Sequence, residues 1–430
     1  MNKGPERAYL VAVDSADQEN MWGVEDSLSE LGTLARTAGA TVVGTMIQRL
    51  THPDPSTYVG KGRAQELHDL EQETGFDLVI FDDELTPTQQ RGLEKLLSAR
   101  IIDRTALILD IFAQHAHTRE GRLQVELAQH EYRLPRLGGD NADLSRQSGG
   151  SRSAGAAGVG GAIGVRGPGE TKLEIDRRRI RSRIADLKED IEEVRQQRAI
   201  HRQQRTAQAI PVVAVVGYTN AGKSTLFNIL TSAGVLAEDM LFATLDPITR
   251  HMMLPTDQEV LVTDTVGFIQ KLPTKLIAAF RATLEEVIDA DILLEVVDAS
   301  HENAIEQSET VRDILHELDA NDKPRVTALN KIDLLADPEN LDTSLYAHAV
   351  PVSALRGDGL EDLLAMLARV LAESMDTVQV MIPFAKSDLV ELFHRRGHID
   401  QESYQPEGTL IVGRLPRTLQ GYYSRYAYFS

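Results

Sequence analysis

Through the first 118 residues, short apolar runs at 8–13, 41–47, 77–81 and 105–112 alternate with amphipathic stretches at 27–38, 62–73 and 87–99. Short apolar runs predict strands and the longer stretches predict helices, so residues 1–118 read as a small, mostly parallel α/β domain. Two helical patterns follow, at 119–134 and 171–205. In the second, Leu173, Ile180, Ile184, Leu187, Ile191 and Val194 recur at gaps of seven, four, three, four and three, a heptad seam. An antiparallel hairpin is predicted over 119–208; the alternative is that each helix packs on a neighbouring domain. From 209 to 374 apolar runs again end in glycine or polar residues, predicting a second, mostly parallel sheet. Residues 375–430 read as a small α/β domain, with strands near 378–383 and 408–413 and a helix near 387–396.

The chain has 430 residues, enough for about three domains. It contains no cysteine, which excludes disulfides and Cys-ligated zinc. No stretch approaches the roughly 20 apolar residues of a membrane span, and residues 1–7 lack a signal-peptide core. A cytoplasmic protein is expected. A formal charge of −20 argues against nucleic acid as a partner. Residues 145–205 reverse that balance locally, with 14 Lys and Arg against 8 Asp and Glu. Within the arm, 11 of the 32 residues from 138 to 169 are glycine, interspersed with Arg146, Arg152 and Arg166. Such a segment has too few apolar side chains to fold alone. Either it is a passive linker or, carried on a helical stalk, it is a basic loop suited to a phosphate-lined space.

Chemistry concentrates between 209 and 374. The run Gly217-Tyr218-Thr219-Asn220-Ala221-Gly222-Lys223-Ser224-Thr225 follows an apolar strand and opens a helix. The pattern G-x-x-x-x-G-K-S lets successive N–H groups wrap phosphates at a helix N-terminus. Lys223 would meet the β- and γ-phosphates, and the Ser224 hydroxyl a magnesium ion. Next, Phe242-Ala243-Thr244-Leu245-Asp246 offers the Thr244 hydroxyl to magnesium and the γ-phosphate; Thr249 competes for that role. Asp264-Thr265-Val266-Gly267 closes a buried strand. There the aspartate would hold magnesium through water, and the Gly267 N–H would reach the γ-phosphate. Phe268 stands where many GTPases place a water-orienting glutamine, so something else has to position that water.

Asn330-Lys331-Ile332-Asp333 supplies base recognition. An aspartate accepts two hydrogen bonds from the N1–H and amine of guanine, whereas facing adenine it would be left desolvated and unpaired. Ser353-Ala354-Leu355 then offers a backbone N–H for the guanine oxygen. Motifs in this order, each at a strand end, specify GTP as substrate and Mg2+ as its companion, with Lys223, Thr244 and Gly267 as the catalytic candidates.

These motifs, together with Gly121-Arg-Leu-Gln-Val-Glu-Leu-Ala-Gln and Gly167-Pro-Gly-Glu-Thr-Lys-Leu-Glu-Ile-Asp-Arg-Arg, closely resemble the HflX family of ribosome-associated GTPases. The resemblance runs from about residue 8 to the end of the nucleotide domain. It implies a P-loop GTPase of low intrinsic rate that binds the large ribosomal subunit, through ribosomal RNA and proteins, and separates the subunits of stalled or idle ribosomes. It also implies a monomer, with peripheral membrane association as a further expectation. The tip between Arg136 and Gly164 looks longer than the usual family loop, and Ile248 stands where many members have a threonine.

Other features carry rival readings. Tyr58-Val-Gly60-Lys61-Gly62 opens a helix and is either an anion site, as for a second nucleotide of an RNA-remodelling ATPase, or a turn with a solvated lysine; its spacing fits no phosphate fingerprint, which favours the turn. His115 and His117 with Asp110 read as a metal group or as loop residues. Tyr422, Tyr423, Tyr426 and Tyr428 either stack on RNA bases or pack on a sheet. A protein-recruiting switch that touches no RNA is the remaining alternative.

Overall fold

The computed structural model describes residues 4–15, 22–137, 168–207, 210–231, 241–242, 244–273, 281–416 and 419–428. They fall into two compact units, Met1–Val194 and Arg195–Ser430. In the first, β1 (Arg7–Ser15), β2 (Thr41–Leu50), β3 (Leu78–Phe81) and β4 (Arg100–Asp103) form a wholly parallel sheet in the order β2-β1-β3-β4. Helices α1 (Val24–Thr37), α2 (Lys61–Thr74) and α3 (Pro87–Glu94) make the crossovers that parallel pairing requires. Val11, Val79 and Phe81 of the strands pack with Leu67 and Leu93 of the helices.

Residues 105–112, expected as a strand, are instead helical. Asp103 caps α4 (Arg104–His115) by accepting the Ala106 N–H at 2.8 Å, and the helix buries Leu107, Ile108, Leu109, Ile111 and Phe112. A run that is apolar on most sides looks alike as a buried strand or a buried helix. The fourth strand is the short run before it.

Thr118 caps α5 (Arg119–Arg133) through the Gly121 N–H, and α6 (Pro168–Ala207) is a single helix of 40 residues. The heptad seam is real: Leu187 is fully buried, and Leu173, Ile180, Ile184, Ile191 and Val194 are half-buried. Arg183 grips Glu126 with two nitrogens, at 2.7 and 2.9 Å, and Lys188 meets Glu131 at 2.8 Å, so α5 and α6 are paired. The glycine-rich stretch 138–167, with Arg146, Arg152 and Arg166, lies outside the described residues.

The second unit holds a six-stranded sheet of β5 (Val212–Gly217), β6 (Ile248–Met253), β7 (Glu259–Asp264), β8 (Ile292–Asp298), β9 (Arg325–Asn330) and β10 (Ala349–Pro351). Its order is β10-β9-β8-β5-β7-β6, parallel except for the edge strand β6. Helices α7 (Lys223–Thr231), α8 (Arg281–Ile288), α9 (Ala304–Glu317) and α10 (Leu360–Glu373) accompany it. In an open parallel sheet ligands gather at the carboxyl ends of the strands. The sequence motifs sit at those ends of β5, β7, β9 and β10.

Beyond α10, β11 (Asp376–Ile382), β12 (His398–Gln405) and β13 (Gly408–Leu415) form an antiparallel sheet in the order β11-β13-β12, with α11 (Ser387–Arg396) and α12 (Gln420–Tyr423). Tyr423 is buried edge-on to Phe393 and donates its hydroxyl to the Leu389 carbonyl at 2.7 Å. Tyr426 packs on the same cluster, whereas Tyr422 and Tyr428 are exposed. Packing on the sheet thus accounts for Tyr423 and Tyr426. Among the described residues no helix is long and apolar enough to cross a membrane.

Candidate functional site

β5 ends at Gly217, whose φ is 147°; a Cβ there would stand 2.3 Å from the Val296 carbonyl oxygen, so the approach of β5 to β8 demands glycine. The chain turns through Asn220 (φ 60°) and Gly222 (φ 95°) into the first turn of α7. Ala221 is buried and Thr225 half-buried. Thr219 is buried with its Oγ1 unpartnered. This strand and turn end at the N-terminus of α7, which suits an anion.

Lys223 is buried beside that turn and donates from Nζ to the Tyr218 carbonyl at 2.6 Å. Burial pushes its pKa down to about 8, and the nearby Asp264 carboxylate opposes the shift. Gly267 approaches so closely that a Cβ on it would lie 2.9 Å from Lys223 Nζ.

Three side chains from separate elements converge next to the lysine. Ser224 Oγ donates to Asp264 Oδ2 at 2.8 Å, Thr244 Oγ1 donates to the same oxygen at 2.9 Å, and the two hydroxyls are 2.8 Å apart. Asp264 Oδ1 is buried with no hydrogen-bond partner. Burial raises the Asp264 pKa, while Lys223, Ser224 and Thr244 oppose the rise. A buried carboxylate oxygen without a donor, flanked by two hydroxyls, is a hard-oxygen donor set of the kind a divalent cation takes. The residues therefore fit magnesium. Thr249, the competing threonine, instead sits on β6 with its hydroxyl 2.9 Å from that of Thr263.

The neighbouring positions divide. Phe242 (φ 60°) and Leu245 are buried, Asp246 is half-buried, and Ala243 lies outside the described residues. Thr265 turns its hydroxyl to the Val215 carbonyl at 2.6 Å, and Val266 is buried. The side chains of Thr265 and Val266 therefore turn into the fold.

At the end of β9, Asn330 donates to the Ala221 carbonyl at 2.8 Å and accepts the Ala354 N–H at 2.9 Å. It staples the phosphate loop to the loop after β10, a double role the sequence did not reveal. Of the backbone N–H groups of 353–355 expected to offer one for a base oxygen, that of Ala354 is engaged in this staple. Asp333 accepts from Ser353 Oγ at 2.6 Å, leaving its other carboxylate oxygen for a ligand. Lys331 (φ 66°) pairs with Asp298 at 2.7 Å, Ile332 donates its N–H to the Val352 carbonyl at 3.3 Å, and Leu355 is 79% exposed. Asp298 was missed from sequence; its signal was the acidic end of the apolar strand β8.

The remaining candidates fall away. Gly60 has φ −61° and gives its N–H to Gln48 Oε1 at 2.9 Å, and Lys61 is exposed, so this stretch is a helix start with a solvated lysine. His115 Nδ1 lies 2.9 Å from the Ile111 carbonyl, and among the described residues no group of His, Asp or Glu is arranged to hold a metal ion.

Known proteins resemble this chain over most of its length. Three family descriptions match in series: "GTP-binding GTPase N-terminal" over residues 25–113, "GTP-binding GTPase Middle Region" over 115–205 and "50S ribosome-binding GTPase" over 212–331. The chain is 45% identical over 414 residues to the GTPase HflX of Lacrimispora saccharolytica, covering 96% of this chain and 94% of the relative. It is 40% identical over 415 residues to the GTPase HflX of Escherichia coli, again covering 96% and 94%. A solved structure of a GTP-binding protein from Sulfolobus solfataricus in complex with GDP is 24% identical, with a TM-score of 0.42, and covers 86% of this chain and 99% of that one.

Proposed function

The chain belongs to the HflX family of GTPases, and from that premise we propose that it is a cytoplasmic, monomeric factor that binds the large ribosomal subunit in its GTP form and separates the subunits of stalled or idle ribosomes. It is a GTP-hydrolysing enzyme. The observation that supports the nucleotide assignment best is the meeting of Ser224, Thr244 and Asp264 beside Lys223.

In this reading the N–H groups at the start of α7 cradle the phosphates and Lys223 meets the β- and γ-phosphates. Ser224 and Thr244 would hold magnesium directly and Asp264 through water. The ion, when bound, supplies charge neutralisation for the departing phosphate. Thr244 and the Gly267 N–H face the γ-phosphate. Asp333, oriented by Ser353, reads guanine, and Asn330 keeps the two nucleotide loops in register. Residues 209–374 form the GTPase domain, 1–118 and 119–208 the α/β domain and arm, and 375–430 the C-terminal domain.

Binding to ribosomal RNA is assigned to the basic arm. Family membership supports the choice over a switch that recruits only protein. The test is co-sedimentation with separated ribosomal subunits and a non-hydrolysable GTP analogue. Pelleting with the large subunit supports the proposal; absence from both pellets removes it.

A further inference from the structure

Phe268 stands where many GTPases carry the glutamine that orients the attacking water, and its side chain is buried. Positioning at this place therefore falls to the backbone, and the phosphate loop holds that backbone. The Phe268 N–H donates to the Gly217 carbonyl at 3.1 Å, and the Thr219 N–H donates to the Phe268 carbonyl at 2.7 Å. Tyr218 lies between these two bonds. Its carbonyl takes the Lys223 ammonium at 2.6 Å, and its buried phenol accepts the Gln270 N–H at 2.9 Å.

We propose that Tyr218 is a positioning residue for hydrolysis, whose hydroxyl fixes residues 267–270 relative to Lys223. One residue thus touches both halves of the reacting region: the cation that meets the phosphates and the segment that carries the Gly267 N–H. Packing alone would be served as well by phenylalanine. The hydroxyl adds a directional bond to a backbone N–H in a turn rather than in a regular strand or helix. A buried phenol normally takes a partner, and here the partner is the segment whose geometry the reaction depends on. The hydroxyl acts through Gln270 and not on the nucleotide, so its loss should affect the rate and spare affinity.

The inference rests on the assignment of 217–225 as the phosphate loop. Lys223→Ala tests that assignment separately, by loss of GTP binding. The test of the inference is Tyr218→Phe in the full chain, with GTP turnover and GDP affinity measured without ribosomes. One lost hydrogen bond predicts a kcat lower by about tenfold, with KM and GDP affinity within about twofold of the parent. A kcat within twofold of the parent would overturn the role. So would a parallel loss of kcat and GDP affinity, because a hydroxyl that only maintains the fold of the phosphate loop would lower both. Loss of binding in Lys223→Ala combined with a normal rate in Tyr218→Phe would leave the site assignment standing and remove only this inference.

Discussion

Ser224, in the first turn of α7, and Asp264, at the end of β7, are 40 residues apart in the chain, yet Ser224 Oγ donates to Asp264 Oδ2 at 2.8 Å. Neither residue makes a divalent site alone. The sheet order places β7 directly beside β5, and α7 springs from the end of β5, so the fold itself brings hydroxyl and carboxylate together.

That juxtaposition predicts metal dependence. Chelation of magnesium should reduce GTP hydrolysis by at least about 100-fold, and Ser224→Ala by about tenfold or more. Discrimination of GDP from ADP should survive in Ser224→Ala, because Asp333 is untouched. Full hydrolysis in a chelator, read by phosphate release, would remove magnesium from the account.

Gly217 is held by geometry rather than chemistry. Gly217→Ala would drive a methyl against the Val296 carbonyl at a φ of 147°, and should destabilise the protein by about 2 kcal/mol or more. Urea unfolding measures this. Unchanged stability would mean that the close approach of β5 to β8 does not require glycine at 217.

Asp333→Asn should turn base preference from guanine toward xanthine, since an amide offers a donor to the extra carbonyl of xanthine and loses an acceptor for guanine. The loss for GTP is expected at about 3 kcal/mol, or about 100-fold in Kd. Competition between GDP and XDP reads it directly. An unaltered GTP affinity would show that Asp333, despite its Ser353 bond, does not meet the base.

How much of this was legible in the sequence depended on whether local pattern or long-range pairing decided the outcome. The phosphate loop, the Asp264 strand end and the heptad seam of α6 are local and were readable. Residues 105–112 were misread because a run buried on most sides carries no period to separate strand from helix. Sequence put Thr244 first with Thr249 as its competitor, and only strand register reveals that Thr249 faces Thr263 on the sheet. The Asn330 staple was invisible for the same reason. Its partners lie 109 and 24 residues away.

The basic arm carries its own prediction. Replacing residues 159–165 by a short neutral turn, or Arg152 and Arg166 by Ser, should leave GTP binding unchanged and impair subunit separation, and the deficit of the Arg152 and Arg166 variant should shrink as salt rises, because salt screens the contacts those arginines make in the parent. Nucleotide affinity measured beside subunit dissociation makes the distinction. If the variant separates subunits at the parent rate, the loop is a linker and the rigid domains do the work.

The central claim is that the GTP form of this protein separates ribosomal subunits, and light scattering from intact ribosomes tests it most directly. Addition of the protein with a non-hydrolysable GTP analogue should lower the scattering, while the protein with GDP, or Lys223→Ala with the analogue, should leave it unchanged. Unchanged scattering with the wild-type protein and the analogue, at concentrations where it pellets with the large subunit, would contradict the account.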